Sequence, residues 1–240
     1  MKGMILAAGR GTRLRPLTDT CPKPMIPIAG KPLLDHVLRL LASHGFDDLV
    51  INLHHLPDVI RDFVGNGSTW NVRITYSSEP ELLGTAGAVR KMADFFDEPF
   101  LVYYSDNLTN FDLTDLWEIH RREGELVSVG LLWMDDPTTR GIIGLDSHNR
   151  VDRFVEKPSI EEVFPDYLIN AGTYIAEPEL LSRIRPGQVC DFSQDIFPQM
   201  LADGLPILGH RMRGQLLSTD SPERYAFAQQ SVASGAFTLP

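Results

Sequence analysis

Ile5-Leu6-Ala7-Ala8-Gly9-Arg10-Gly11-Thr12-Arg13-Leu14-Arg15-Pro16-Leu17-Thr18, closed by Lys23-Pro24-Met25, decides how this chain is read. An apolar strand runs into two glycines, and the turn that follows carries three arginines with a lysine a few residues on. Glycine permits positive φ and leaves no Cβ between backbone N–H groups and an anion. The arginine fork grips phosphate oxygens bidentately, and lysine adds a compact point charge. A triphosphate suits both. A lone Gly-x-Gly is also an ordinary surface turn, but the clustered cations favour a phosphate cradle.

Two familiar phosphate loops fail here. A dinucleotide fingerprint needs a third glycine where Leu14 stands, and its ribose-binding acid should end a second strand, whereas Asp35 follows Lys31-Pro32 in a helical pattern. A Walker loop needs Gly-Lys-Ser/Thr opening a helix, and Gly30-Lys31 is followed by Pro32.

The 240 residues, 43% hydrophobic and 22% charged, fit one large α/β domain with a substantial core. The expectation is a single domain over residues 1–240 with no appended C-terminal domain. Met4 to Ala8 is too short for a signal peptide, and no run approaches a membrane span, so the reading is cytoplasmic, with no membrane partner. Cys21 and Cys190 are too few for a disulfide framework or a zinc knuckle, which leaves free thiols. The net charge of −10 argues against a nucleic-acid partner. Yet residues 1–31 hold six cations against Asp19 alone, +5 in a chain whose remainder carries −15. Such a focus fits a small polyanion.

Outward from the loop, Lys2 to Ala7 reads as a buried parallel strand. Pro32 opens a helix with Leu33, Leu34, Val37, Leu38 and Leu41 on one face, ended by Gly45. Asp48 to Leu53, Val72 to Ser77, Phe100 to Tyr104 and Leu126 to Leu132 read as further strands, with Pro57 to Val64 a helix between the first two. Trp117 reads as core of a later helix, and Asp135-Asp136-Pro137 as a turn. Strands Gly141 to Leu145 and Val151 to Val155 flank a turn at Asp146 to Asn149. Glu177 to Ile184 and Phe192 to Leu201 suggest helices, the latter capped by Asp191 or Ser193, and the tail from Ala226 should finish a helix and fray. His54 and His55 point apart and lack ligand spacing with any acid, so a metal role is disfavoured.

Three further segments carry chemistry. In Glu79 to Ala88, the small residues Gly84, Ala86, Gly87 and Ala88 let something flat approach the start of a helix, although close helix–sheet packing would explain one or two of them. Ser105-Asp106-Asn107 ends a strand, where ligands bind in open α/β sheets. Asn170 and Gly172 interrupt an apolar strand, as close approach of a ligand would require.

From Gly9 to Pro24 the chain resembles the signature of the sugar-1-phosphate nucleotidyltransferases, Gly-x-Gly-Thr-Arg-Leu-x-Pro-Leu-Thr followed by Lys-Pro, with every position filled. Within that family it is similar to mannose- and manno-heptose-1-phosphate guanylyltransferases. The resemblance implies a three-layer, Rossmann-like α/β domain with a mixed, mostly parallel sheet. It makes Arg13 and Lys23 the catalytic cations and gives nucleotide binding to Leu6, Ala7, Ala8, Gly9, Gly11 and Thr12, and to the base loop with Gly84, Thr85 and Ala86. It puts magnesium on Asp106, the sugar phosphate on Lys157, and a sugar hydroxyl on Glu156 in Glu156-Lys157-Pro158. Asn170 and Gly172 would line the sugar pocket.

Pyrimidine-specific relatives carry glutamine five residues before Gly84, where this chain has Glu79. A carboxylate is acceptor-only and can take both donors of guanine's Watson–Crick edge, so guanine is preferred. The final motif departs from the family. Relatives read Trp-x-Asp-x-Gly-Thr-Pro-Glu-x-Tyr, their aspartate binding the second side of magnesium. Leu216 to Tyr225 has Ser218 at the aspartate position and Asp220 at the glycine position, so either Asp220 reaches back to the metal or one ligand is missing.

The implied reaction transfers a nucleotidyl group, GMP from GTP first, to a mannose- or manno-heptose-type 1-phosphate, releasing pyrophosphate. Uridylyl or thymidylyl transfer to a glucose- or amino-sugar 1-phosphate is the alternative, and a homo-oligomer is compatible with the sequence. A glycosyltransferase would want Asp-x-Asp, which Asp106-Asn107-Leu108 does not supply. A non-catalytic nucleotide or sugar-phosphate sensor would keep the pocket and lose the ligand at Ser218.

Overall fold

A computed structural model describes residues 1–135 and 140–240, so Asp136 and Pro137 of the expected turn lie outside the described residues. The chain divides into two compact units. The first comprises residues 1–82, 103–113 and 213–240, and the second residues 83–102 and 114–212. None of the described helices is long and apolar enough to cross a membrane.

In the first unit, strands Lys2–Leu6, Asp48–Leu53 and Arg73–Ser78 run parallel, with Lys2 opposite Asp48 and Asp48 opposite Arg73. Met4, Ile5, Val50 and Ile51 are fully buried, as expected for apolar strands covered on both faces. Helix Leu33–Ser43 joins the first two strands and buries Leu33, Leu34, Val37, Leu38 and Leu41, the face that its spacing predicts. It also buries Asp35, whose carboxylate takes the Trp70 indole N–H at 3.0 Å and Arg39 Nε at 2.7 Å. Lys31 and Pro32 do more than open that helix. They pair with Pro27–Ile28 in a hairpin turned at Ala29 and Gly30, both with positive φ.

Strand Asn107–Thr109 pairs antiparallel with Leu216–Ser218, Asn107 opposite Ser218. The Thr219 hydroxyl then donates to the Asp106 carbonyl at 2.9 Å. Helix Pro222–Ala233 begins two residues after Asp220, with the Ser221 hydroxyl as its cap, accepting from Arg224 N–H. Its Tyr225 hydroxyl donates to the Pro27 carbonyl at 2.6 Å. The tail does not fray. Phe237 is 2% exposed in a cluster with Leu14, Ile26, Ile28, Leu33 and Leu108, and Asn110 donates to the Thr238 carbonyl. A large aromatic side chain beside an apolar cluster gains more by burial than the short tail loses in freedom.

The second unit holds the antiparallel part of a mixed α/β architecture. Strand Ile142–Leu145 pairs with Val151–Val155 and with Leu168–Ala176, which pairs in turn with Val127–Leu132; Leu208–Arg211 lies parallel to the last. The turn at Asp146 is closed by its own carboxylate, which accepts from the His148 and Arg150 N–H groups at 2.8 Å. Two expected helices differ. Pro178–Arg183 is a 3₁₀ segment, too short between Pro178 and Pro186 to propagate an α-helix. Phe192–Ile196 is a π turn, followed by α-helix Phe197–Ala202, because Pro198 has no N–H to continue the ladder. Trp117 is half-buried on helix Leu113–Glu123, whereas His120 on the same helix is fully buried against the Ser128 hydroxyl.

Candidate active site

Strand Lys2–Leu6 delivers the loop, and its end is pinned. Ser105 donates to the Leu6 carbonyl through N–H at 3.2 Å and through its hydroxyl at 2.7 Å, and Ala7 N–H donates to Asn52 Oδ1 at 2.6 Å. Gly11 is required twice over: its φ is +62°, and a Cβ would lie 2.9 Å from Thr18 Cγ2. Gly9 has no atom within 4 Å of that position, so only an incoming ligand would use its bareness. The short turn Thr12–Leu14 buries Leu14 while the Arg13 side chain stays 72% exposed. One residue anchors the loop and its neighbour points outward.

Arg13 and Lys23 each rest on a predicted acid. Lys23 Nζ, on a nearly buried side chain, lies 3.1 Å from Asp106 Oδ2, and Asp106 Oδ1 accepts from the Asn107 amide at 2.9 Å. Arg13 Nη1 donates to Asp220 Oδ2 at 2.9 Å. Asp220 also accepts from the Ser218 hydroxyl at 2.7 Å and from Arg224 Nη1 at 3.1 Å. Burial pushes the Asp220 carboxyl up, but the Ser218 hydroxyl and the Arg224 and Arg13 guanidiniums outweigh it and hold the pKa at about 2.

The two aspartates differ as candidate magnesium ligands. Asp106, its side chain 41% exposed beside one lysine, is a hard oxygen donor that suits the ion. Asp220 has its oxygens committed to a hydroxyl and two guanidiniums. Among the described residues no three His, Cys, Asp or Glu side chains gather as a metal cage. A magnesium ion on Asp106 would draw its other ligands from substrate phosphates and water.

Glu79 is 3% exposed, and its Oε1 accepts from Asn52 Nδ2 at 2.7 Å. Because Ala7 N–H can only donate, Asn52 turns its oxygen to the loop and its NH₂ to Glu79. The sequence reading missed Asn52, although an amide within an apolar strand was the available signal. The two histidines also find a task. His54 Nδ1 donates to the Glu79 carbonyl at 2.8 Å, leaving Nε2 to accept from Arg10 Nε at 3.4 Å, while His55 Nε2 donates to the Thr18 carbonyl at 2.9 Å. They brace the loop from two directions.

The second unit gathers the other predicted residues. Gly84 has φ +74°, and a Cβ there would sit 2.5 Å from the Cys190 carbonyl oxygen; at Gly87 it would sit 2.4 Å from that of Gln188. Ala86 and Gly87 N–H both donate to the Cys190 carbonyl. Close packing against residues 188–190 therefore accounts for both glycines. Asp191, expected as a helix cap, makes no side-chain cap bond and instead accepts from Thr85 N–H and hydroxyl, each at 2.9 Å. Glu156 lies within electrostatic reach of Asp191, and burial raises its carboxyl pKa. Lys157 adopts φ +48°, a left-handed conformation that costs an ordinary residue energy and is common at ligand clamps. Asn170 donates to the Tyr174 hydroxyl and accepts from Gly172 N–H, where the strand's register breaks. The interruption read from the sequence is a bulge.

A family model described as Nucleotidyl transferase matches residues 2–216. Over 226 residues the chain is 38% identical to a UTP–glucose-1-phosphate uridylyltransferase of Synechocystis sp., covering 88% of this chain and 58% of that one. Over 239 residues it is 36% identical to a mannose-1-phosphate guanylyltransferase of Mycobacterium tuberculosis, covering 99% of this chain and 66% of that one. The chain thus spans 58% and 66% of the length of these curated relatives. HddC from Yersinia pseudotuberculosis, solved in complex with GMP-PN, matches its fold with a TM-score of 0.81 at 25% identity, covering 96% of this chain and 99% of that one.

Proposed function

The chain belongs to the nucleotidyl transferase family, and from that membership we propose that it transfers GMP from GTP to a mannose- or manno-heptose-type sugar 1-phosphate, releasing pyrophosphate. The observation that carries this reading is the pair of cations, Arg13 and Lys23, each held by a carboxylate beside a glycine turn. Glu79 supports guanine. Oriented by Asn52, its carboxylate complements the two donors of guanine's Watson–Crick edge and would meet an acceptor on uracil or thymine.

The nucleophile is a phosphate oxygen of the sugar 1-phosphate. Its second pKa is near ~6, so it is largely ionised at neutral pH and needs no general base. The barrier is charge: a dianion approaches a polyanion while negative charge builds on the departing pyrophosphate. In this reading Lys23 faces the α-phosphate, Arg13 the leaving pyrophosphate, and Lys157 the sugar phosphate, while Glu156 takes a sugar hydroxyl. Asp106 would hold magnesium, which when bound neutralises phosphate charge. Its curated relatives include a uridylyltransferase and a guanylyltransferase, and Glu79 is what favours GTP over UTP here.

The test is pyrophosphate release with magnesium across four nucleoside triphosphates and a panel of mannose, manno-heptose, glucose and N-acetylated sugar 1-phosphates. GTP with one manno-configured sugar is the expected pair. Release with UTP or dTTP instead would overturn the role given to Glu79, and silence in every combination would overturn the reaction.

A further inference from the structure

Asp220 stands two residues before a helix, 9% exposed, between two arginines that approach it from different segments of the chain. Arg13 reaches it from the phosphate loop at 2.9 Å and Arg224 from helix Pro222–Ala233 at 3.1 Å and 3.4 Å. Ser218, 8% exposed, donates its hydroxyl to Asp220 Oδ1 at 2.7 Å, the oxygen that Arg224 also meets at 3.1 Å. For Asp220 to turn to a magnesium ion it would have to leave two guanidiniums and a hydroxyl, each a charge-assisted bond. Those bonds leave both arginines with their charge partly offset and Arg13 with most of its side chain outside, 72% exposed. One nitrogen of the Arg13 fork is tethered, and the fork is thereby aimed.

Resting on the proposed nucleotidyl transfer, we propose that Asp220 is a positioning residue for Arg13 and not a metal ligand, with Ser218 and Arg224 fixing its carboxylate, so that Asp106 is the acidic metal ligand of this unit. The serine at position 218 then has a purpose. A hydroxyl orients the neighbouring carboxylate, whereas an aspartate there would set two anions beside each other. Neutralising Asp220 also leaves Arg13 and Arg224 facing the same space with no anion between them, and the exposed Arg13 side chain should disperse.

The experiment measures binding of inorganic pyrophosphate by calorimetry in EDTA, together with the magnesium dependence of pyrophosphate release, on the full chain and on Asp220→Asn, Arg13→Ala and the double variant. Positioning predicts that Asp220→Asn weakens metal-free pyrophosphate binding at least tenfold, that the double variant is no weaker than Arg13→Ala, and that half-saturating magnesium stays within twofold. Unchanged metal-free binding with a tenfold rise in half-saturating magnesium would overturn the proposal and return Asp220 to the metal. If Asp220→Asn does not fold, as judged by circular dichroism, Ser218→Ala carries the same test with an expected threefold weakening, and no change in it counts against the proposal. If Arg13→Ala itself binds pyrophosphate as tightly as the unaltered chain, the reading of the loop has failed instead.

Discussion

The two units hold their candidate residues by different means. In the first, side chains do most of the holding: Arg13 on Asp220, Lys23 on Asp106, Asn52 between the loop backbone and Glu79. In the second, the backbone does the holding: Gly84 and Gly87 lie against residues 188–190, Asn170 and Gly172 form a bulge, and Lys157 takes a left-handed conformation. Charge networks can lose a member and leave the fold standing, because the partner reaches solvent or a neighbour. Close backbone contacts cannot, since a single Cβ has nowhere to go. The first unit is therefore where activity and stability separate, and the second is where they are joined.

The sharpest way to break that contrast is Arg13→Ala or Lys23→Ala. Either should lower kcat/KM by roughly 10²–10³-fold, the loss typical of a well-placed charge-stabilising donor. The thermal midpoint should move by less than about 4 °C. Steady-state kinetics beside a melting curve decides it, and two variants within threefold of the unaltered chain would mean that the loop has been misassigned.

Acid should weaken the two units in separate pH windows. In the second unit, burial and the nearby Arg121 hold His120 down to about 4 even though Glu177 lies 3.4 Å from its Nε2. Its folded pKa is below the unfolded value of about 6.5, so the unfolded chain binds the proton more readily. Stability is complete above pH ~6.5 and falls as pH drops towards about 4, by at most about 3 kcal/mol. In the first unit Asp220, at about 2, sits below the ordinary aspartate value of 3.8, so its contribution is complete above pH 3.8 and is lost only as pH falls through 2. Urea midpoints from pH 7 to 4.5 should therefore decline, and His120→Asn should flatten the decline; an unchanged slope would remove His120 from the account.

A smaller effect sharpens the comparison at two glycines. Gly84→Ala meets a carbonyl oxygen at 2.5 Å with φ +74°, and should cost about 1–3 kcal/mol of stability. Gly9→Ala meets nothing within 4 Å and should change stability by less than about 0.5 kcal/mol while weakening nucleotide binding. Equal destabilisation of the two would erase the distinction.

What the sequence disclosed was local. The apolar strand, the glycine turn with its cations, the acid at a strand end and the interrupted strand at Asn170 each lie within about fifteen residues, and each is found where the reading put it. What it withheld depends on distant pairing. Thr85 meets Asp191 across 106 positions and Arg13 meets Asp220 across 207. No local pattern distinguishes an aspartate that caps a helix from one that holds a threonine on another segment. Phe237 was equally silent, because burial of one aromatic residue after a helix has no periodicity to announce it. Ligand spacing is silent on His54 and His55, which meet backbone carbonyls and, for His54, Arg10.

The Tyr225 hydroxyl on the Pro27 carbonyl has a mechanical meaning. It is a strut between the helix that follows Asp220 and the hairpin that follows Lys23, so the segment bearing the acid that holds Arg13 is tied to the segment that follows the lysine. Stiffness of this kind is invisible in an inventory of charges.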